Sequence, residues 1–108
     1  MPQPKVDLRK HQRILVPSSQ AIYASSNGSG PRVEGAVTVI GLGGMFIRTK
    51  DSQPYGTVLH LLLKGSYLSL ESECTVRNLA SNGLGVEITG ITPQNEQKLK
   101  SLLLQLKS

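Results

Sequence analysis

The chain has 108 residues, enough for one domain with a single hydrophobic core, and this length excludes a second core. Hydrophobic residues make up 38% and charged residues 18%, which is typical of a folded chain and excludes a disordered one. The net charge of +5 favours anionic partners, and the single cysteine, Cys74, excludes an intrachain disulfide.

The first residues are predicted to lie outside the folded domain. Residues 1–8 are polar and contain two prolines, which favours a flexible tail before a domain over residues 9–108. This tail has no apolar signal core, and the longest apolar stretch, Val58 to Leu63, is interrupted by His60 and too short to span a bilayer. We therefore expect a cytoplasmic protein without membrane insertion.

Six strands are predicted from apolar alternation and from glycine- and proline-containing turns. Their bounds in chain order are Arg13 to Ala24, Val33 to Ile40, Met45 to Thr49, Thr57 to Lys64, Leu68 to Arg77 and Leu84 to Thr89. The fifth strand alternates most clearly, and its pattern predicts that Cys74 is a small buried hydrophobic residue. Pro17 suits an edge or a bend of the first strand.

The apolar period then changes to that of a helix. Four residues spaced i, i+3, i+4 and i+7 form the apolar stripe: Leu99, Leu102, Leu103 and Leu106. Thr92 is a suitable N-cap before Pro93, so we expect a helix from Pro93 to about Lys107. Six strands followed by one helix predict an all-β fold, a six-stranded antiparallel β-barrel with a C-terminal α-helix that covers its open end or side.

Two arginines directly before the first strand are candidate ligand residues. Arg9 and Arg13 lie four residues apart, with Lys10 between them. Guanidinium groups bind phosphate bidentately, pair with the O6 and N7 edge of guanine and stack on purine rings. Together they favour a guanine nucleotide site, although a solvated basic surface is the simpler alternative.

The glycine run Gly41-Leu42-Gly43-Gly44 is the second candidate feature. Glycine lets the backbone turn sharply and approach a ligand closely. The run is not a dinucleotide fingerprint, because a strand follows it where a helix would be needed. The plainer interpretation is a hairpin corner in which glycine adopts a positive φ.

Catalytic arrangements are not evident in the sequence. His11 and His60 have no acid that the sequence pairs with them, and nucleophile-elbow, paired-histidine and Walker motifs are missing. A thiolate metal site is implausible with one cysteine. We therefore expect a protein that is not an enzyme and that needs neither a metal nor a cofactor.

In their order and spacing, these features resemble the PilZ domain family, over Arg9 to Leu106. Arg9 and Arg13 match its RxxxR motif, and the window Val39 to Gly44 is similar to its (D/N)xSxxG motif. The resemblance implies a receptor for the second messenger cyclic di-GMP, whose guanine bases and phosphates the arginines hold. It also implies that the ligand folds the segment from Arg9 to Arg13, here called the arginine segment, over the barrel and so changes a surface that binds a downstream protein partner.

The second motif departs from the family pattern at two positions. Gly44 matches, but Val39 replaces the acid or amide that pairs with a guanine edge, and Gly41 replaces the serine. Losing both hydrogen bonds would cost about 2–4.5 kcal/mol, between about thirty-fold and two-thousand-fold in affinity. We therefore expect weakened binding. The resemblance assigns six candidate ligand residues: Arg9, Lys10, Arg13, Val39, Gly41 and Gly44.

Two alternatives remain. A PilZ-fold module that binds another protein and no longer binds cyclic di-GMP is favoured by Val39 and Gly41, whereas Arg9 and Arg13 favour the receptor. A barrel that binds single-stranded nucleic acid is less consistent with the sequence, because such proteins stack bases on aromatic side chains. This chain has one phenylalanine, three tyrosines and no tryptophan. We therefore expect no nucleic-acid partner.

Overall fold

The computed structural model describes residues 13–66 and 68–107, so Arg9 and Lys10 lie outside the described residues. Its strands are β1 (Ile14–Leu15), β2 (Ile22–Ser26), β3 (Glu34–Ile40), β4 (Gly44–Arg48), β5 (Val58–Lys64), β6 (Ser69–Ala80) and β7 (Gly83–Gly90). One helix, α1 (Pro93–Lys107), follows the last strand.

Strands β2 to β7 form a closed antiparallel ring. Their order is β3-β2-β5-β6-β7-β4, and β4 pairs back with β3. Closure pairs both edges of each of these strands and so removes the exposed edges on which a sheet could grow. The prediction of a six-stranded antiparallel barrel with one C-terminal helix is confirmed.

The predicted first strand is divided in two. Pro17 lacks a backbone N–H, and after it the chain makes one turn of 3-10 helix over Ser18–Gln20 that separates β1 from β2. Both strands nevertheless pair with the same edge of β3. The short strand β1 continues along β3 where β2 ends, so it extends the barrel wall next to the turn between β3 and β4.

Apolar side chains from the six long strands fill the barrel. Those with at most 2% exposure are Ile22, Ala24, Val37, Ile40, Ile47, Leu59, Leu61, Leu63, Leu70, Cys74 and Val76. Burying a large aliphatic side chain of this kind contributes roughly 1.5–3 kcal/mol. The alternation predicted for the fifth strand is confirmed at Leu70, Cys74 and Val76, which are buried, and at Glu71 and Arg77, which are exposed. Thr75 is an exception, because it belongs to the predicted polar face and is nevertheless buried.

The helix has the predicted bounds and cap. The backbone N–H of Asn95 donates to Oγ1 of Thr92 over 3.2 Å, so Thr92 satisfies one of the free N–H groups at the helix start. The four leucines of the predicted stripe are buried, and the helix packs against β6 and β1. No helix within residues 13–66 and 68–107 is long and apolar enough to cross a membrane.

Strand β3 contains a β-bulge between Val37 and Val39. Val37 and Ile40 are both in the core, so two residues lie between inward-facing positions where a regular strand has one. Without the extra residue, alternation would turn position 39 inward and position 40 outward. The bulge therefore places the side chain of Val39 on the outer face of the barrel.

Candidate functional site

Two neighbouring rows of residues cross the outer face of β1, β3, β4 and β7 beside the turn between β3 and β4. The first row, in order across the strands, is Leu15, Val39, Phe46 and Gly85. The second row is Arg13, Gly41, Gly44 and Glu87. We call these eight residues the outer patch.

Pairing and burial establish that this surface faces outward. Paired residues of antiparallel strands share a face, and alternate residues of a strand face opposite sides. The residues next to the patch positions along the strands are core residues, namely Ile40, Met45, Ile47, Leu84 and Val86. Leu15, the first residue of the first row, is 77% exposed, and this exposure shows that the row lies on the outer face of the barrel.

The structure brings together four of the predicted ligand residues. Ile14 pairs with Ile40. Because the two strands are antiparallel, Arg13, which precedes Ile14, lies opposite Gly41, which follows Ile40. Gly41 donates its N–H to the carbonyl of Gly44 over 2.9 Å, which closes the turn between β3 and β4. Arg13 is exposed, whereas Gly41 and Gly44 are buried.

The hairpin-corner interpretation of the glycine run is wrong in one respect. Within the described residues, positive φ occurs at Gly28 (84°) and Gly56 (88°), and not in the turn that ends at Gly44. Gly44 is required for another reason: a Cβ atom there would collide with the carbonyl oxygen of Val86 on β7. The missing side chain therefore allows β4 and β7 to approach closely.

The first row of the patch is apolar. Val39 and Phe46 are half-buried and lie beside the exposed Leu15. Neither Val39 nor the side-chain-free Gly41 can accept a hydrogen bond from a ligand through a side chain. A base placed here would meet hydrocarbon and backbone where the family motif has an acid or amide and a hydroxyl.

A polar cluster that the sequence did not predict lies at the other end of the patch. Glu87 on β7 pairs with Gly44, and its Oε1 accepts a hydrogen bond from Nε of Arg77 over 2.8 Å. The guanidinium of Arg77 lies 5.9 Å from the ring centre of Tyr55. The hydrogen bond to Glu87 raises the pKa of Arg77. Only strand register joins these residues, so local sequence patterns contain no sign of the cluster.

A second bulge orients this cluster. In the pairing of β6 with β7, the register shifts between Val76 and Asn78, and Arg77 is the extra residue. Bulges redirect side chains and recur beside functional sites. The outer patch thus lies between two bulges, one on β3 at its apolar row and one on β6 behind Glu87.

The cysteine is not available as a nucleophile. The Cys74 side chain is fully buried, and burial raises the pKa of its thiol to about 11. The thiol is therefore protonated at neutral pH, and the thiolate is the reactive form. Across the described ranges 13–66 and 68–107, no group of three His, Cys, Asp or Glu side chains is placed to hold a metal ion.

Depressions formed by the described residues also lie away from the outer patch. One of about 650 Å³ is lined by residues that include Tyr23, Arg48, Lys50, Asp51 and Asn82. One of about 430 Å³ lies at β5, β6 and the start of α1, with a lining that includes His60, Glu71, Glu73 and Asn95. Neither lining contains a predicted ligand residue.

Comparison with known proteins identifies the fold independently. The model of the PilZ domain family matches residues 7–105. The structure of YcgR from Escherichia coli in complex with c-di-GMP matches with a TM-score of 0.74 and 16% identity, covering 94% of this chain and 47% of that chain. The present chain therefore spans about half the length of that YcgR chain.

A structure of the separate PilZ domain of Escherichia coli YcgR with c-di-GMP matches over a similar extent. Its TM-score is 0.73 at 13% identity, and the match covers 94% of this chain and 92% of that chain. At these identities the likeness shows a shared fold. No curated protein matches the chain.

Proposed function

The chain belongs to the PilZ domain family, and from this premise we propose that it is a binding protein, not an enzyme, with cyclic di-GMP as its ligand. The proposed site is the outer patch, in which Arg13, Val39, Gly41 and Gly44 are the predicted ligand residues, and we propose that Arg9 and Lys10 of the preceding segment complete it. The solved relatives in complex with c-di-GMP support this ligand class.

The observation that carries the proposal is the position of Arg13. Arg13 is exposed and lies opposite Gly41 at one end of the outer patch. The neighbouring row of the patch, which contains Val39 and Phe46, is apolar. A guanidinium in this position can lie over a purine that rests on Val39 and Phe46, or can bind a phosphate bidentately. Both interactions are independent of the residues that the second motif has lost.

The structure also supports a way of transmitting binding. Arg13 is directly followed by the two-residue strand β1, which packs against α1. Ile14 and Val16, on either side of Leu15, are half-buried against the core. If ligand closes the arginine segment over the patch, the displacement acts on β1 and through it on the helix. We propose the helix side of β1 as the surface that reports binding to a protein partner.

Calorimetry with cyclic di-GMP tests the site. Arg13→Ala removes one charged contact, so we expect it to weaken binding roughly ten- to a hundred-fold. Lys100→Ala, which removes an exposed cation from the helix, is the matched control and should leave affinity unchanged. Absence of binding heat from the native protein at high ligand concentration would contradict the proposal.

The two altered motif positions give a second test. Val39→Asp together with Gly41→Ser restores both side-chain hydrogen-bonding groups of the motif. If the patch holds the ligand as proposed, the double variant should bind cyclic di-GMP more tightly than the native protein, by up to about two-thousand-fold. An unchanged affinity in a folded double variant would show that the ligand does not lie beside these positions.

A protein-interaction module without nucleotide control is the second candidate. The specific observation in its favour is the apolar row itself, because Leu15 is 77% exposed beside Val39 and Phe46. Apolar residues grouped in this way are more typical of a protein contact than of a phosphate site. The calorimetric titration of the native protein separates the two candidates directly.

A further inference from the structure

We infer that Glu87 supplies the carboxylate acceptor for a guanine edge that Val39 and Gly41 do not provide, because the β4–β7 register places Glu87 in the same row as Arg13, Gly41 and Gly44. The inference rests on the proposed binding of cyclic di-GMP. It assigns a specificity-determining residue outside both sequence motifs.

The row has a cation at one end and a carboxylate at the other. No side chain rises from Gly41 or Gly44 between Arg13 on the β1 side and Glu87 on β7. Three inter-strand steps separate the two ends, a backbone span of roughly 14 Å. Two long side chains reaching over this span can contact opposite sides of one bound base.

Arg77 fixes the orientation of the carboxylate. Its Nε donates to Oε1 of Glu87 over 2.8 Å, and its guanidinium lies over the ring of Tyr55. Within the described part of the chain, Oε2 of Glu87 accepts no hydrogen bond, and the side chain is 53% exposed. Each carboxylate oxygen has two lone pairs, so Glu87 retains acceptor capacity while Arg77 holds it.

The ion pair also reduces an electrostatic conflict. A cyclic dinucleotide carries two negative phosphates, which an isolated carboxylate would repel. The Glu87–Arg77 ion pair as a whole has no net charge, so the guanidinium offsets the repulsion between the carboxylate and the phosphates. A carboxylate can therefore lie next to an anionic ligand here.

The chemistry of the acceptor selects one purine. The Watson–Crick edge of guanine presents the N1–H and the N2 amino group as adjacent donors, which a carboxylate accepts together. Adenine presents an unprotonated N1 on that edge, and its lone pair faces the carboxylate unfavourably. A role of Glu87 in base recognition thus predicts selectivity for guanine over adenine, which a structural role does not.

Calorimetry of native protein and Glu87→Gln with cyclic di-GMP and with cyclic di-AMP provides the test. We expect Glu87→Gln to weaken cyclic di-GMP binding roughly ten- to a hundred-fold and to leave any cyclic di-AMP binding unchanged. Glu71→Gln is the matched control, because it removes another exposed carboxylate from an outward position of β6 and should change neither affinity.

A second variant distinguishes recognition from misfolding. Val39→Asp introduces an alternative acceptor on the patch, so it should increase affinity more in the Glu87→Gln background than in the native protein. Equal gains in both backgrounds would show that the two carboxylates do not serve the same ligand edge, and would overturn the inference.

The outcomes separate this inference from the proposed function. Binding of cyclic di-GMP by native protein with equal affinity in Glu87→Gln and Glu71→Gln overturns the role of Glu87 and leaves the receptor proposal standing. Absence of cyclic di-GMP binding by the native protein overturns both.

Discussion

The outer faces of the β3–β4 and β5–β6 hairpins differ although both hairpins present the same apolar interior. The outer face of β5–β6 has mostly charged or polar side chains, including His60, Lys64, Glu71 and Glu73, although Val58 and Leu62 are apolar. The outer face of β3–β4 has Val39, Gly41, Gly44 and Phe46. A stable barrel requires apolar side chains only at the inward-facing positions of its strands. The apolar residues and glycines on the outer face of β3–β4 therefore require another explanation.

The difference shows how the wall of a regular barrel is altered at the surface that we propose as the binding site. On β5–β6 the polar side chains keep the wall solvated and project from it. On β3–β4 a bulge brings Val39 outward, and glycines remove projecting side chains where the strands approach. The result is a low apolar floor between Arg13 and Glu87, which the β5–β6 face does not offer.

The largest change in stability that we predict tests whether the bulge makes β3 differ from the regular strand β5. On a regular strand, positions 37 and 39 would share a face, as Leu59 and Leu61 do on β5. Because the bulge separates them, Val37→Asp should bury an unpaired charge and cost about 3–5 kcal/mol. Val39→Asp should change the free energy of unfolding by less than about 1 kcal/mol. Urea unfolding of both variants is the measurement.

Leu59→Asp and Leu61→Asp serve as the controls for a regular strand. Both side chains face the core, so both variants should be destabilised as strongly as Val37→Asp. Equal destabilisation by Val37→Asp and Val39→Asp would show that β3 has no functional bulge and that the proposed apolar row does not exist.

A smaller change in stability is expected when a glycine of each hairpin is replaced by alanine. Gly44→Ala forces a Cβ atom against the Val86 carbonyl on a neighbouring strand, and we expect a loss of about 1–3 kcal/mol in stability. Gly65 lies at the β5–β6 turn, where a Cβ would come no closer than 3.8 Å to the nearest described atom and φ is not positive. Gly65→Ala should therefore be neutral or stabilising by up to about 1 kcal/mol.

Urea unfolding of the native protein and both variants measures these changes in stability. The comparison is valid where the free energy of unfolding depends on urea concentration with the same slope in all three proteins. If Gly44→Ala proved as harmless as Gly65→Ala, the approach of β4 to β7 would not depend on glycine, and a ligand role would become the better explanation of this residue.

The smallest effect concerns Leu15, an apolar residue that the fold leaves exposed. Leu15→Ser should change the free energy of unfolding by no more than about 0.5 kcal/mol, as should the matched outer-face variant His60→Ser. An assay of cyclic di-GMP binding should nevertheless separate them, because Leu15 belongs to the outer patch and His60 does not. A large loss of stability in Leu15→Ser would show that the residue is retained for folding.

Much of the architecture follows from short-range patterns in the chain. The alternation of Leu70, Cys74 and Val76, and the leucine spacing before Leu106, arise because strands and helices repeat their facing direction over a few residues. Thr92 and Pro93 mark the helix start for an equally local reason, the hydrogen-bonding needs of its first turn.

The details of the site depend on contacts between distant parts of the chain. The bulge beside Val39 and the pairing of Gly44 with Glu87 are set by register, which hydrogen bonds among several strands determine together. Arg77 reaches Glu87 because β6 and β7 are adjacent, and their separation of ten positions in the sequence does not reveal this contact. Local periodicity therefore predicted which residues fill the barrel, whereas the assembled sheet decided which residues share its outer surface.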